Sequence, residues 1–381
     1  MNFGSLFAFS TLLGTIIGAG MFGLPFVVQK VGVIPALFYF LALGGAVTLI
    51  HLFFGEICLR TIRKSRLVGY ASVYLGPAGK AAAVCSTVLG VTGALLAYII
   101  LGTHFLRILA GSFPFVLSET ALAAVFWAAL SFFVLRGIRA VAKAELVMVI
   151  ILAGVLLLIF GAAIPRVRFD NLLWFGSDGV FLPYGVILFA LAGWSAVPEI
   201  AEMFKKRSEK KRLDNVIIAA SLVAAGVSFL FALVVAGVSG NGTSQDALSG
   251  LIPFLGGNIV FLGSVFGLVA IASSFMVLAS YLKNSLVQDG KMPGWFAAVF
   301  TITAPMALFL AGLREFISVL GVLGAVFGLM EALLIIAIFI QARKKGDREP
   351  EYALRGVGIL PIFLCFLLAG GAVAQFLYHA R

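Results

Sequence analysis

Charged residues are scarce in this sequence. They make up only 11% of the 381 residues, whereas 62% are hydrophobic. So little charge excludes a water-soluble domain and indicates a helical protein that crosses a membrane several times. Cysteine is scarce as well, and Cys58, Cys85 and Cys365 lie in apolar segments without paired spacing. This spacing excludes a disulfide framework and a cysteine metal site.

In place of charge, the sequence has a series of long apolar runs. About 20 helical residues cross the ~30 Å hydrocarbon core of a bilayer. Eleven runs are long enough to span, namely 5–29, 33–59, 81–111, 118–135, 144–164, 180–204, 214–238, 257–287, 294–312, 316–341 and 356–378. We therefore predict an all-α polytopic membrane protein with eleven spans, of which the third and eighth are long enough to be tilted.

The basic residues are distributed unevenly between the two sides of these spans. All but six of the 27 Lys and Arg residues lie in or beside the loops that follow spans 2, 4, 6, 8 and 10. The exceptions are Lys30, Arg107, Arg166, Arg168, Arg314 and Arg381. The positive-inside rule then predicts a cytoplasmic N-terminus and a C-terminus outside. We expect the protein in the plasma (inner) membrane of a prokaryote.

Span 1 contains a stretch that is unfavourable for a helix, Gly18–Pro25, with three glycines and a proline. Glycine costs about 1 kcal/mol and proline about 3 kcal/mol relative to alanine inside a helix. A broken helix within the membrane is tolerated only where it faces protein or a wet cavity. The stretch therefore predicts a binding site built from backbone, or else a glycine face for close helix packing.

Span 6 repeats the pattern, with Gly193 and Pro198 inside an apolar run. Spans 1 and 6 cross in opposite directions, which is typical of an inverted repeat with paired broken helices. This favours the binding site over the packing face. Exposed N–H groups at such a break suit a carboxylate, and freed carbonyls suit an ammonium or a cation. We predict repeats at 1–165 and 180–341 and an eleventh span at 356–378.

Three motifs resemble those of a known family. The segment Thr15–Pro25 is similar to the first-span motif of the amino acid/auxin permease family, within the amino acid, polyamine and organocation transporter superfamily. Phe189–Gly193 with Pro198–Ile200 resembles the sixth-span motif, and Ala97–Ile99 resembles the third-span site segment. The resemblance covers spans 1 to 10. It implies a leucine-transporter fold and a secondary transporter that moves amino acids with a coupling cation by alternating access.

The resemblance also implies roles for individual residues at the substrate site. The substrate carboxylate would bind the backbone of Gly18, Ala19, Gly20 and Met21. Carbonyls for the ammonium would come from Phe189, Ala190 and Ala192. The Tyr98 phenol would reach the carboxylate, or the ring would simply pack between helices. Trp194 would form a cavity wall, or lie in the core or against lipid. The scarcity of fixed charge here predicts a neutral amino acid.

The coupling ion is predicted from span 8. Ala270–Ser274 resembles the sodium site of sodium-coupled superfamily members, where the ligands would be Gly14, Ile17, Ala270, Ser273 and Ser274. Five oxygen ligands suit such a hard cation. Paired serines in an apolar helix are, however, often bonded back to the preceding turn. Related proton-coupled permeases retain hydroxyls at this place. The sequence thus favours sodium only slightly over protons, and we expect no cofactor.

Among the acidic residues of the spans we single out Glu56, Glu199 and Glu331, which lie toward the cytoplasmic ends of their spans. Such groups are candidates for function, although static ion pairs at helix ends would also explain them. We single out Glu199 as a gating residue because it follows the break in span 6. An intramembrane enzyme is disfavoured because the broken segments carry no other acid or histidine. A channel would not require paired broken helices, so a symporter is the prediction.

Overall fold

The computed structural model describes residues 3–111, 117–136, 142–176 and 179–379, and this part of the chain is helical without β-strands. Its α-helices are α1 (Phe3–Ile16), α2 (Gly20–Val31), α3 (Val33–Arg60), α4 (Leu67–Ala110), α5 (Glu119–Arg136), α6 (Ala142–Ala163), α7 (Leu182–Leu191), α8 (Val197–Met203), α9 (Arg207–Lys210), α10 (Leu213–Ser239), α11 (Ile252–Leu255), α12 (Gly257–Gln288), α13 (Gly294–Leu310), α14 (Phe316–Val322), α15 (Leu329–Lys345) and α16 (Leu360–His379). Arg139 and Arg381, which entered the charge argument, lie outside the described residues.

The helices follow the eleven predicted runs in order. Among the described residues, eight helical segments are long and apolar enough to cross a membrane, and the bent pair α1 and α2 makes a ninth. Two shorter apolar helices, Ala153–Arg166 and Gly294–Leu310, occupy the places of spans 5 and 9. The chain is thus a multi-pass membrane protein.

Spans 1 and 6 are both interrupted. The axes of α1 and α2 differ by 53° across a break of three residues, so the unwound part is shorter than the glycine-rich stretch, and α2 continues through Pro25. In span 6, α7 ends at Leu191 and α8 begins at Val197 after a 3-10 turn, with Pro198 in its first turn. Proline is favoured at this position because the first helical N–H groups have no partner within the helix.

Two departures from regular helix were not predicted. Gly76 has a φ of 72° and precedes Pro77, so α4 consists of a short helix from Leu67 followed by a longer one that forms span 3. Glycine adopts this left-handed conformation without a steric penalty. Span 10 contains a π-helix over Leu323–Gly328 between α14 and α15. Insertions of this kind are frequent at functional sites.

Three of the loops rich in Lys and Arg, those after spans 2, 6 and 10, meet at one end of the described structure, which we call the basic end. Lys64 lies 3.3 Å from Glu202, and Lys210 lies 3.9 Å from Glu351. The backbone N–H of Asp347 donates to the carbonyl of Arg60 over 3.0 Å. The loops after spans 2, 6 and 10 are therefore in direct contact, as their shared charge predicts.

Candidate functional site

A cavity of about 640 Å³ lies between the breaks of spans 1 and 6. It extends to the basic end, where Arg66 and Glu199 at its rim have side chains that are each 42% exposed. All the predicted site residues except Met21 line it, namely Gly14, Ile17, Gly18, Ala19, Gly20, Tyr98, Phe189, Ala190, Ala192, Trp194, Glu199, Ala270, Ser273 and Ser274. Residues spread over four spans are thus brought to one place.

Met21 is the predicted residue that the structure does not bring to this cavity. Its side chain is 1% exposed and packs on the far side of α2. Its backbone N–H donates to the carbonyl of Gly18 over 3.2 Å. Because α2 already uses this N–H group in its first turn, it is not available to a ligand.

The break in span 1 leaves backbone donors without partners. The N–H of Gly18 donates to Ile16, and the N–H of Phe22 donates to Ala19. Among the described residues, no acceptor contacts the N–H of Ala19 or Gly20. These groups lie at the N-terminal end of α2, where the partial positive charge of a helix is concentrated. They can bind an anionic group such as a carboxylate.

The break in span 6 presents acceptors to the same space. The N–H of Ala192 donates to the carbonyls of Leu188 and Phe189. The carbonyls of Ala190 and Ala192 have no donor among the described residues. Span 1 contacts span 6 here, since a Cβ placed on Gly20 would lie 2.7 Å from Cα of Ala190. Donors and acceptors therefore line one narrow region.

Tyr98 contributes its phenol to this region from span 3. The ring is buried, and a Cβ placed on Gly18 would lie 3.3 Å from its hydroxyl oxygen. The hydroxyl also interacts with Ser274 of span 8. Tyr98 therefore contacts both the glycine-rich break and the predicted ion ligands.

The predicted ion ligands show features expected of a cation site. The carbonyls of Gly14 and Ile17 accept no backbone hydrogen bond in the described part of the chain, because the N–H of Gly18 and of Met21 bond elsewhere. Ser264 of the same helix α12 donates back to Val260 over 2.8 Å. No such back-bond is formed by Ser273 or Ser274 in the described structure, so their hydroxyls are available as ligands.

Two polar contacts hold the break of span 6 to its neighbours. His51 of α3, which is fully buried, accepts a hydrogen bond at Nε2 from the N–H of Gly193 over 3.1 Å, and its Nδ1 lies 3.0 Å from the hydroxyl of Ser221. Nε2 therefore carries no proton. The indole N–H of Trp194 donates to Oε2 of Glu331 in α15 over 2.5 Å.

The other two acids singled out from the sequence are paired with arginines. Glu199 lies 3.5 Å from Arg66 at the rim of the cavity. Glu56 is fully buried and lies 2.8 Å from Arg60 and 2.9 Å from Arg343. Glu56 therefore forms a static ion pair of the kind considered from the sequence, whereas Glu199 lies where the cavity meets solvent.

The cavity is closed on the side away from the basic end. The ring of Phe22 packs edge-on against Phe105 and Phe231, with centroid distances of 5.1 and 6.0 Å. All three rings are buried. This aromatic cluster lies directly beyond the break of span 1, whereas Arg66, Glu199 and Lys283 line the cavity at the basic end.

In span 10, sequence reasoning named Glu331 but missed the residues of the π-helix. Leu323, Phe327 and Gly328 from the π-helix line the cavity together with Glu331. Gly324 is in backbone contact with Gly185 of α7. The run of glycines at 321, 324 and 328 beside Phe327 was the available indication, since close backbone approach requires glycine.

The geometry defines the class of protein. Two broken helices, whose N–H and carbonyl groups line one cavity, are the arrangement found in membrane transporters built from inverted repeats. The chain matches the tryptophan/tyrosine permease family over residues 3–375, and it belongs to this family. It is accordingly a membrane transporter of the amino acid permease kind and not an enzyme.

Individual relatives agree with this assignment. The chain is 24% identical over 363 residues to glutamine transporter 2 of Aliivibrio fischeri, with 92% of each protein covered. It is 25% identical over 265 residues to the methylthioribose transporter of Bacillus subtilis, which covers 64% of this chain and 55% of that protein. The structure of MhsT in complex with L-phenylalanine superposes with a TM-score of 0.65 at 15% identity, covering 98% of both chains. This likeness establishes the leucine-transporter fold.

Proposed function

We propose that the protein is a secondary active transporter that moves a neutral amino acid by cation symport through alternating access. One observation carries the proposal: the free N–H groups of Ala19 and Gly20 line the same cavity as the free carbonyls of Ala190 and Ala192. These groups match the carboxylate and the ammonium that every amino acid carries. Gly18 and Tyr98 complete the carboxylate side of the site.

The lining of the cavity supports a neutral substrate with a large side chain. Its charged residues are Arg66, Glu199, Lys283 and Glu331, and Arg66 is paired with Glu199. Phe189 and Phe327 are among its apolar residues, and its volume of about 640 Å³ leaves room for an aromatic ring. The family name, together with the phenylalanine bound to MhsT, makes tryptophan, tyrosine and phenylalanine the first candidates.

The conformation is proposed to be the inward-facing one. If the positive-inside rule holds, the basic end is cytoplasmic, the N-terminus is inside and the C-terminus is outside. We place the protein in the inner membrane of a prokaryote, with repeats at 1–165 and 180–341 and an additional span at 356–378. The motif over Thr15–Pro25 also supports membership of the wider amino acid/auxin permease group.

The coupling ion is proposed to be sodium, with protons as the alternative. Carbonyls of Gly14 and Ile17 without a backbone donor, together with the hydroxyls of Ser273 and Ser274, neither of which bonds back to its own helix in the described structure, support an oxygen-ligated cation between spans 1 and 8. The carbonyl of Ala270 supplies a fifth oxygen. The alternative is favoured by Glu331, a cavity residue paired only with a neutral donor.

The proposal predicts which compounds will bind. Thermal-shift measurements on the purified protein with each of the twenty amino acids, in sodium and in choline, should show stabilisation by neutral amino acids and none by glutamate or lysine. Sodium should enhance the effect. Stabilisation by no amino acid in either salt would contradict the substrate site.

The ion ligands predict an effect of one hydroxyl. Ser274→Ala should weaken the sodium dependence of binding, because it removes a ligand oxygen. Ser264→Ala is the matched control, since its hydroxyl is already bonded to Val260 within the same helix. Equal sodium dependence in the two variants would argue against the span 8 site. A protonophore that abolishes uptake in sodium-free buffer would instead support protons.

A further inference from the structure

Glu331 is the carboxylate of the cavity that lacks an ionic partner. It lies in the first turn of α15, directly after the π-helix, and it lines the cavity. Its hydrogen bond comes from the uncharged indole of Trp194, over 2.5 Å. Among the described side chains no Lys, Arg or His nitrogen lies within 4.0 Å of its oxygens. The proposed binding of substrate and sodium does not use this group.

The groups that face Glu331 from the surrounding helices carry no positive charge close to it. Besides Trp194, Ser86 of α4 and Tyr281 of α12 interact with it, and both are neutral hydroxyl groups. His51 of α3 lies behind Trp194, with ring centroids 6.2 Å apart. It is neutral, because Nε2 accepts the hydrogen bond from Gly193.

Neither of the cationic residues that line the described cavity is paired with Glu331. Arg66 is held between Glu199, at 3.5 Å, and the ring of Tyr281, whose centroid is 5.2 Å away. Lys283 lines the cavity but forms no ion pair with Glu331. Glu56 is separately neutralised by Arg60 and Arg343. The negative charge of Glu331 is therefore uncompensated within the described part of the protein.

An uncompensated carboxylate away from bulk water costs several kcal/mol, and uptake of a proton removes that cost. A metal cation would need further oxygen ligands in a closed shell. The indole N–H beside Glu331 is a donor and cannot ligate a cation. A proton is thus the cation that this arrangement fits, and the open cavity connects the group with water.

We propose that Glu331 is a proton-binding site of the transport cycle, and that its charge state controls how firmly span 10 holds the break of span 6 through Trp194. This inference rests on the proposed transport function. In the step, a hydronium ion at the cavity transfers one proton to a carboxylate oxygen of Glu331: one O–H bond of the hydronium breaks, the O–H bond of the carboxylic acid forms, and a water molecule is released. No other bond is formed or broken.

The direction of the effect follows from the hydrogen bond. A bond to an ionised acceptor is roughly twice as strong as one between neutral groups. The ionised form therefore holds Trp194, and with it the turn that leads into α8. Protonation weakens this hold and favours the conformation in which span 6 has moved. A proton that binds one conformation more tightly shifts the conformational equilibrium toward that conformation. If the substrate also binds the two conformations with different affinity, proton binding and substrate binding are coupled by linkage.

The test compares driven uptake with exchange in proteoliposomes at constant sodium. A mixture of the twenty radiolabelled amino acids is the probe, so that substrate identity does not decide the result. An inward proton gradient should raise uptake by the wild type about fivefold or more, the lower end of ordinary coupling between two sites. Glu331→Gln should lose this stimulation yet retain counterflow exchange, because the amide still accepts from Trp194. Glu349→Gln, which changes an exposed carboxylate, is the matched control.

The outcomes separate this inference from the proposed function. Gradient stimulation that persists in Glu331→Gln would overturn the proton site. Absence of counterflow in the wild type would instead overturn the transport proposal. If Glu331→Gln loses both activities, the proton site is tested by infrared spectroscopy instead. Difference spectra on acidification are recorded for the wild type and for Trp194→Phe, and the two are compared. A protonated-carboxyl band that moves on loss of the indole N–H supports the site, and an unchanged band overturns it.

Discussion

Gly20 is the residue at which the two broken spans touch. A Cβ at this position would lie 2.7 Å from Cα and 2.9 Å from Cβ of Ala190. Neither atom belongs to a flexible side chain, so spans 1 and 6 would have to separate. Overpacking of this kind typically costs about 1–3 kcal/mol. We expect Gly20→Ala to abolish amino acid binding, measured by thermal shift, while the protein remains folded.

Gly45 provides the matched control for this prediction. It lies in α3, and a Cβ placed there meets no atom within 4 Å. Gly45→Ala should leave binding unchanged and stabilise the helix slightly, because alanine is the better helix former. Equal amino acid binding by Gly20→Ala and Gly45→Ala would show that binding does not require close contact between the breaks of spans 1 and 6.

Residues at the site differ in how far the sequence could predict them. The free N–H groups of Ala19 and Gly20 follow from the glycine-rich break, because no helix can satisfy every backbone group there. Met21 was included because the family resemblance implies a role for it, but α2 starts early enough to use its N–H group. Where a helix restarts to within one residue depends on packing, which local sequence does not contain.

Among the elements, the break of span 6 depends on α3. His51 accepts from the N–H of Gly193 and contacts Ser221 of α10. His51→Leu should leave this buried N–H without an acceptor, which costs about 1–3 kcal/mol. We expect a lower unfolding temperature and reduced transport. Thr48→Ala is the control, since Thr48 bonds only back to Gly44 of its own helix. An unchanged unfolding temperature for His51→Leu would contradict this role.

The elements themselves were largely predictable, whereas their irregularities were not. Eleven apolar runs and two breaks follow from the cost of exposing polar backbone to lipid. The kink at Gly76 and the π-helix at Leu323–Gly328 change which residues of spans 3 and 10 face the cavity. Glycine permits such departures from a regular helix. In span 10, the π-helix coincides with the backbone contact between Gly324 and Gly185, which lie far apart in sequence.

At the scale of the whole molecule, Glu56 joins the loops of the basic end. It is fully buried, pairs with Arg60 and Arg343, and accepts from the N–H of Leu354 over 2.8 Å. Removing one partner of a buried ion pair costs about 3–5 kcal/mol. Glu56→Ala should therefore lower the unfolding temperature strongly and expose the loop before α16 to protease.

The control for this prediction is an exposed ion pair at the same end. Glu202 lies 3.3 Å from Lys64, and both side chains are largely exposed. Pairs of this kind contribute at most about 1 kcal/mol, so Glu202→Ala should have little effect on the unfolding temperature. Similar losses in the two variants would mean that burial of Glu56 is not what stabilises the loops.

The sequence by itself determined the class of protein, the order of the apolar runs, the shared end of the basic loops after spans 2, 6 and 10, and the two breaks. Each of these follows from backbone and charge energetics that act locally within a bilayer. Tertiary structure alone decided that Glu331 stands without a counter-charge beside Trp194, while Glu56 and Glu199 are paired with arginines. The charge state of a buried acid depends on which helices pack around it, and those partners are distant in sequence.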